Sequence, residues 1–162
     1  MWLPILFTIG AVALVLGPIF LMQPSATQRR EARMRKLALD LGLRVHLQEP
    51  PKGSRCPPQR KLLPLYCLPW ERSRKDRGSW SLVRKNFSHE LHYSGEWDWG
   101  DKPSRLPPEA FKECLQTAPE VVLAITLGAA GLCVFWEEYG GDQQVNIIAD
   151  WLRKTAASTT AQ

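Results

Sequence analysis

No charged side chain occurs between Met1 and Met22, and the 162-residue chain has only 3 histidines and 4 cysteines. None of Cys56, Cys67, Cys114 and Cys133 belongs to a Cys-x-x-Cys pair, and a chain of this length does not need disulfide staples. The reading is four reduced thiols, mostly buried, with a single bridge left open. No Gly-rich phosphate loop, nucleophile elbow or Ser/His/Asp signature is present, and the acids are scattered beside turns. The run His89-Glu90-Leu91-His92 has its histidines three apart, followed by Tyr93-Ser94-Gly95. A zinc-protease helix needs them four apart on one face, so ordinary surface histidines are the better reading. These absences argue against an enzyme, and no metal or cofactor is expected.

What is present is unevenly spread. Residues 29–85 hold 16 Lys and Arg against 5 Asp and Glu, a net of +11, whereas residues 86–162 hold 5 against 11, a net of −6. A basic half followed by an acidic half suits a domain beside an anionic surface, its acidic part toward water. The uncharged run from Met1 to Met22 forms a helix of about 33 Å at 1.5 Å per residue, close to the roughly 30 Å of a hydrocarbon core. Trp2 is placed as an interfacial anchor, and Gly17-Pro18 as a kink near the exit. A cleaved signal would need a positive n-region, which is missing. Arg29, Arg30, Arg33, Arg35 and Lys36 hold the following segment on the cytoplasmic side. The expectation is an uncleaved single-pass anchor in a bacterial inner membrane, N-terminus outside.

Thr27 is placed to cap a helix with Met34, Leu37, Ala38 and Leu41 on one face and Gly42 at its end. Leu43–Gln48 alternates as a half-buried strand does. A Pro-rich basic loop, residues 49–61, precedes a second strand, Leu62–Trp70, whose Pro64 and Pro69 place it at a sheet edge or split it. A charged turn, Glu71–Gly78, leads to a strand over Trp80–Phe87. Residues 88–107 read as irregular, and Pro107-Pro108 opens a short helix to about Thr117.

Val121–Trp136 is uncharged and must be weighed as a second membrane span. It is shorter than a span, and Gly128-Ala-Ala-Gly131 at its centre makes a β-hairpin the better reading. Asp142 caps a last helix with Val145, Ile148, Ala149 and Leu152 as its apolar face. The fold class expected is a single transmembrane helix plus a small α+β domain, a mostly antiparallel sheet with helices on one face. The divisions are 1–22 anchor, 23–42 basic juxtamembrane helix, 43–155 cytoplasmic domain and 156–162 disordered tail.

Basic residues interleaved with Tyr66, Trp70 and Trp80 would suit nucleic acid, by phosphate contact and stacking. Adjacency to anionic lipid headgroups already accounts for the charge, so a bilayer surface is favoured over nucleic acid. Trp97-Asp98-Trp99 places two indoles on one face of an extended segment, as a partner-docking patch or as packing over the sheet.

The run from Leu14 to Gln48 resembles the opening of the YajC-type accessory subunit of the bacterial preprotein (Sec) translocase: an anchor, a Pro-containing exit, a Gln/Arg/Lys-rich helix, then a strand. From Glu49 onward the chain departs from that family. The resemblance implies an inner-membrane accessory of the translocase with no catalytic residues. The function expected is non-enzymatic binding of a membrane protein complex; the alternative is a membrane-tethered nucleic-acid-binding module.

Overall fold

The computed structural model describes residues 2–21, 23–56, 60–70, 78–85, 92–101 and 103–160, with side chains except at 15, 17–21, 92, 159 and 160. The chain divides into two units, residues 1–32 and 33–162.

In the first unit, helix α1 (Leu3–Leu21) is followed by the start of α2 (Ala26–Asp40). Ser25, not Thr27, caps α2: its Oγ accepts from the Gln28 N–H at 3.2 Å, while Gln28 Oε1 accepts from the Ser25 N–H at 2.8 Å. This reciprocal box satisfies two otherwise orphaned amides. Pro18 lies inside α1, whose helical backbone runs through it. Among the described residues no helix is long and apolar enough to cross a membrane. This overturns the expected single-pass anchor, and with it the inner-membrane localisation and the N-out topology.

The second unit is built on a fully antiparallel seven-stranded sheet. Its strands are β1 (Arg44–Gln48), β2 (Leu63–Leu68), β3 (Trp80–Arg84), β4 (His92–Ser94), β5 (Trp97–Asp101), β6 (Val122–Gly128) and β7 (Gly131–Trp136). Their spatial order is β1-β2-β7-β6-β3-β5-β4. The uncharged stretch after Pro119 is the β6–β7 hairpin, closed at Gly128↔Gly131. It is apolar at nearly every position because the middle of the sheet is covered on both faces. That dual burial, not lipid, accounts for 16 residues without charge.

One face carries Tyr66, Leu82, Ile125, Val134 and Trp136 under three helices: α2, α3 (Ala110–Gln116) and α4 (Asp142–Thr160). Met34 and Ala38 come from α2, Phe111 and Leu115 from α3, and Val145, Ile148 and Leu152 from α4; all are buried. Trp80 meets Phe111 edge-on at 4.8 Å. The Trp151 indole donates to the Cys114 carbonyl at 3.0 Å, joining α4 to α3. The α4 helix continues to Thr160, with Ala156 against the core, so the tail expected to be disordered from 156 is helical that far.

The opposite face holds Leu63, Leu65, Cys67, Val83, Ala124, Cys133 and Phe135. The loop between β1 and β2 crosses it. Pro51 reaches Gly100, where an added Cβ would lie 2.9 Å from the proline Cβ. Lys85 Nζ donates to the Gly53 carbonyl at 2.7 Å. A bulge between Val122 and Ala124 re-phases β6, sending Val122 to the helical face and Ala124 to the loop face.

Three further expectations change. Strand β2 is not an edge: β1 lies outside it, and Pro64 sits opposite Leu47 near the end of their pairing. Cys67 and Cys133, opposite one another on β2 and β7, form a disulfide rather than remaining thiols. Part of the segment read as irregular is the β4–β5 hairpin, turning at Gly95. The turn expected over residues 71–77 lies outside the described residues.

Gly131 begins β7 at φ +144°, where a Cβ would collide with the Leu68 carbonyl. Gly128, across the turn, has open space. Gly131→Ala is therefore expected to lower urea-unfolding stability by about 2–4 kcal/mol, and Gly128→Ala by under about 1 kcal/mol.

Candidate functional site

Trp97 and Trp99 both turn toward the helical face of β5, but the structure separates their situations. Trp97 is 3% exposed, a core side chain and not a docking contact. Its ring lies under Arg84, whose Cζ is 4.6 Å from the ring centre. The guanidinium donates to the Pro119 carbonyl at 2.9 Å and the Ala118 carbonyl at 3.1 Å, just after α3. Arg84 Nε is buried without a hydrogen bond among the described residues, 3.7 Å from Glu96 Oε2. Burial lowers the Arg84 pKa from its ordinary value, while Glu96 and Glu120 pull it back up. Arg84, Glu96, Trp97, Gln116 and Glu120 line part of a cleft of about 460 Å³. With both carbonyl bonds already made, Arg84 acts first as a bolt between β3 and the α3 exit.

Trp99 is half-buried and packs on Tyr93, ring centres 4.6 Å apart. Lys112 Nζ stands 5.7 Å over the Tyr93 ring. The Tyr93 hydroxyl is buried without a hydrogen-bond partner among the described residues. Burial, and secondarily the charge of Glu109, holds this phenol above its ordinary pKa.

Of the five basic residues singled out on α2, Arg29, Arg30, Arg33 and Lys36 are exposed, whereas Arg35 turns inward. Its guanidinium donates through Nε and Nη2 to the two Glu138 oxygens, at 2.8 and 2.6 Å. Tyr66 Oη donates to Glu138 Oε1 at 3.0 Å, and its ring meets Trp136 edge-on at 5.2 Å. Glu138 is 1% exposed and sits at φ 55°, a left-handed conformation rare for a residue with a Cβ. A buried carboxylate held by a forked pair fixes one helix at one place on the sheet. The sequence alone does not distinguish Glu138 from Glu137, which is exposed.

Of the three aromatics that would stack on bases, Tyr66 is fully buried and Trp80 is 4% exposed, whereas Trp70 is half-buried. His89 lies outside the described residues, and among the described ones no group of three His, Cys, Asp or Glu is placed to hold a metal. Trp2 is 82% exposed. No family model, curated protein or solved structure matches this chain.

Removing Arg35 strands a buried carboxylate, whereas Glu138→Gln keeps an acceptor and leaves a partly exposed guanidinium that water reaches. Arg35→Ala is expected to cost about 3 kcal/mol in denaturant unfolding, and Glu138→Gln clearly less. For Tyr93, the unfolded phenol ionises near pH 10, before the folded one. Its contribution is thus intact below that pH and lost as pH rises above it. The urea midpoint is expected to fall between pH 9 and 11, and less steeply in Tyr93→Phe.

Proposed function

We propose that this chain is a non-enzymatic accessory protein that attaches to a membrane protein complex through α1. The observation that carries this reading is the exposed apolar surface of that helix: Trp2 is 82%, Leu3 86%, Phe7 83% and Leu14 78% exposed. A helix apolar on all sides needs a cover, and a continuous apolar surface of this kind marks an interaction site. The occupant is a protein groove that is apolar along its floor, in the helix-in-groove manner. Its rim is acidic, because exposed Arg29 and Arg30 follow in the same unit. The resemblance of residues 14–48 to the YajC-type subunit makes the preprotein translocase the first complex to examine. Tyr66 and Trp80 lie in the core, which leaves the nucleic-acid alternative without two of its stacking platforms.

Crosslinking followed by affinity capture tests this, using the full chain and a copy lacking residues 2–22. Translocase subunits are expected to be enriched with the full chain and lost with the shortened one. Equal recovery by both copies would remove α1 from the reading. Enrichment of nucleic acid in place of a membrane complex would overturn it.

A further inference from the structure

The loop face of the sheet brings three of the four cysteines to one cluster. Cys67 and Cys133 are joined across β2 and β7, and Cys56, from the loop covering that face, packs against the same cluster. Cys56 is a free, partly exposed thiol whose Sγ donates to the Arg60 carbonyl at 2.6 Å. The fourth cysteine, Cys114, is on α3, whose Phe111 and Leu115 belong to the opposite face. The sheet therefore separates Cys114 from the disulfide.

We propose that Cys56 is an exchange thiol for the Cys67–Cys133 bond, so that the loop can be stapled to β2 in place of the β2–β7 link. Reach allows it. Seven residues of chain run from Cys56 to Leu63, up to about 23 Å extended, against about 13 Å along β2 from Leu63 to Cys67. In the step, Cys56 leaves the Arg60 carbonyl and loses its proton, and its thiolate attacks Cys67 Sγ. The Cys56–Cys67 bond forms as Cys67–Cys133 breaks, and Cys133 departs as a thiolate that takes up the proton. Two electrons stay in one disulfide throughout, so no external oxidant or reductant is consumed. The staple moves from the join of two central strands to the join of one strand with the loop over it.

The test uses the full chain carrying Cys114→Ser, held folded in buffers of graded reduced and oxidised glutathione, then acid-quenched, alkylated and mapped by peptide mass spectrometry. A Cys56–Cys67 link is expected in roughly a tenth or more of molecules, alongside Cys67–Cys133. With Cys133→Ser added, Cys67 has lost its partner, and Cys56–Cys67 is expected to become the main disulfide. The proposal is overturned if Cys67–Cys133 is the only internal link across the series and Cys67 in the second variant takes up only glutathione. Should the second variant not fold, the first decides alone, since the 56–67 peptide either forms or does not.

Discussion

The arrangement of the second unit depends on burying the central strands on both faces. Every residue of β7 is buried, and β2 is buried from Leu63 to Cys67. Neither strand has a solvent face on which a polar residue is tolerated, so each needs two covers. The helices supply one and the β1–β2 loop the other. Burial at roughly 25 cal/mol per Å² makes such a strand a large contributor to folding, but only when both covers are in place. The close fit of Gly131 against Leu68, and the Trp70 indole bonded to the Gly128 carbonyl at 2.9 Å, pin the β6–β7 turn to the end of β2. The hairpin is thereby held in register with the strand beside it.

Against this apolar interior, the Arg35–Glu138–Tyr66 cluster has a different task. Apolar packing would let α2 slide or rotate on the sheet at modest cost, because many arrangements bury similar area. A forked pair between a guanidinium and a buried carboxylate has one good geometry. Arg153 on α4 donates to the Leu41 carbonyl at 2.7 Å and ties down the other end of the same helix. The left-handed Glu138 is a local cost, carried where a single helix position must be specified.

Periodic segments were legible in the sequence. The β6–β7 hairpin, β1, and the apolar face of α4 follow from alternation, turn residues and three-to-four spacing, which are local properties. What was not legible depends on remote neighbours. The cap at Ser25 competes with Thr27 two residues on, and only the Gln28 side chain decides between them. The β4–β5 hairpin carried its signal in Ser94-Gly95 between aromatics, but the strands are short and their Trp residues read equally well as a surface patch. Cys67 and Cys133 are 66 residues apart, and nothing local pairs them. Helix α1 exposes the opposite limit: uniform hydropathy has no periodicity, so composition suggests an environment without specifying a partner. Trp97 illustrates the same ambiguity for a single residue, because an indole in the core and one on a surface look identical in a string of letters.

The strand order β1-β2-β7-β6-β3-β5-β4 also constrains how the chain is made. Strand β2 leaves the ribosome before β7, with β1 as its one available sheet neighbour at that point. Its other neighbour, β7, is synthesised only after β3 to β6, and the β6–β7 hairpin must enter between β2 and β3 rather than be added at an edge. The sheet therefore closes only after β7 has been synthesised, through contacts of high sequence separation that form slowly. Until then Leu63–Leu68 is an unsatisfied apolar strand on a nascent chain. Vectorial synthesis thus leaves an apolar strand without one of its two sheet neighbours for that interval, the kind of surface that promotes aggregation.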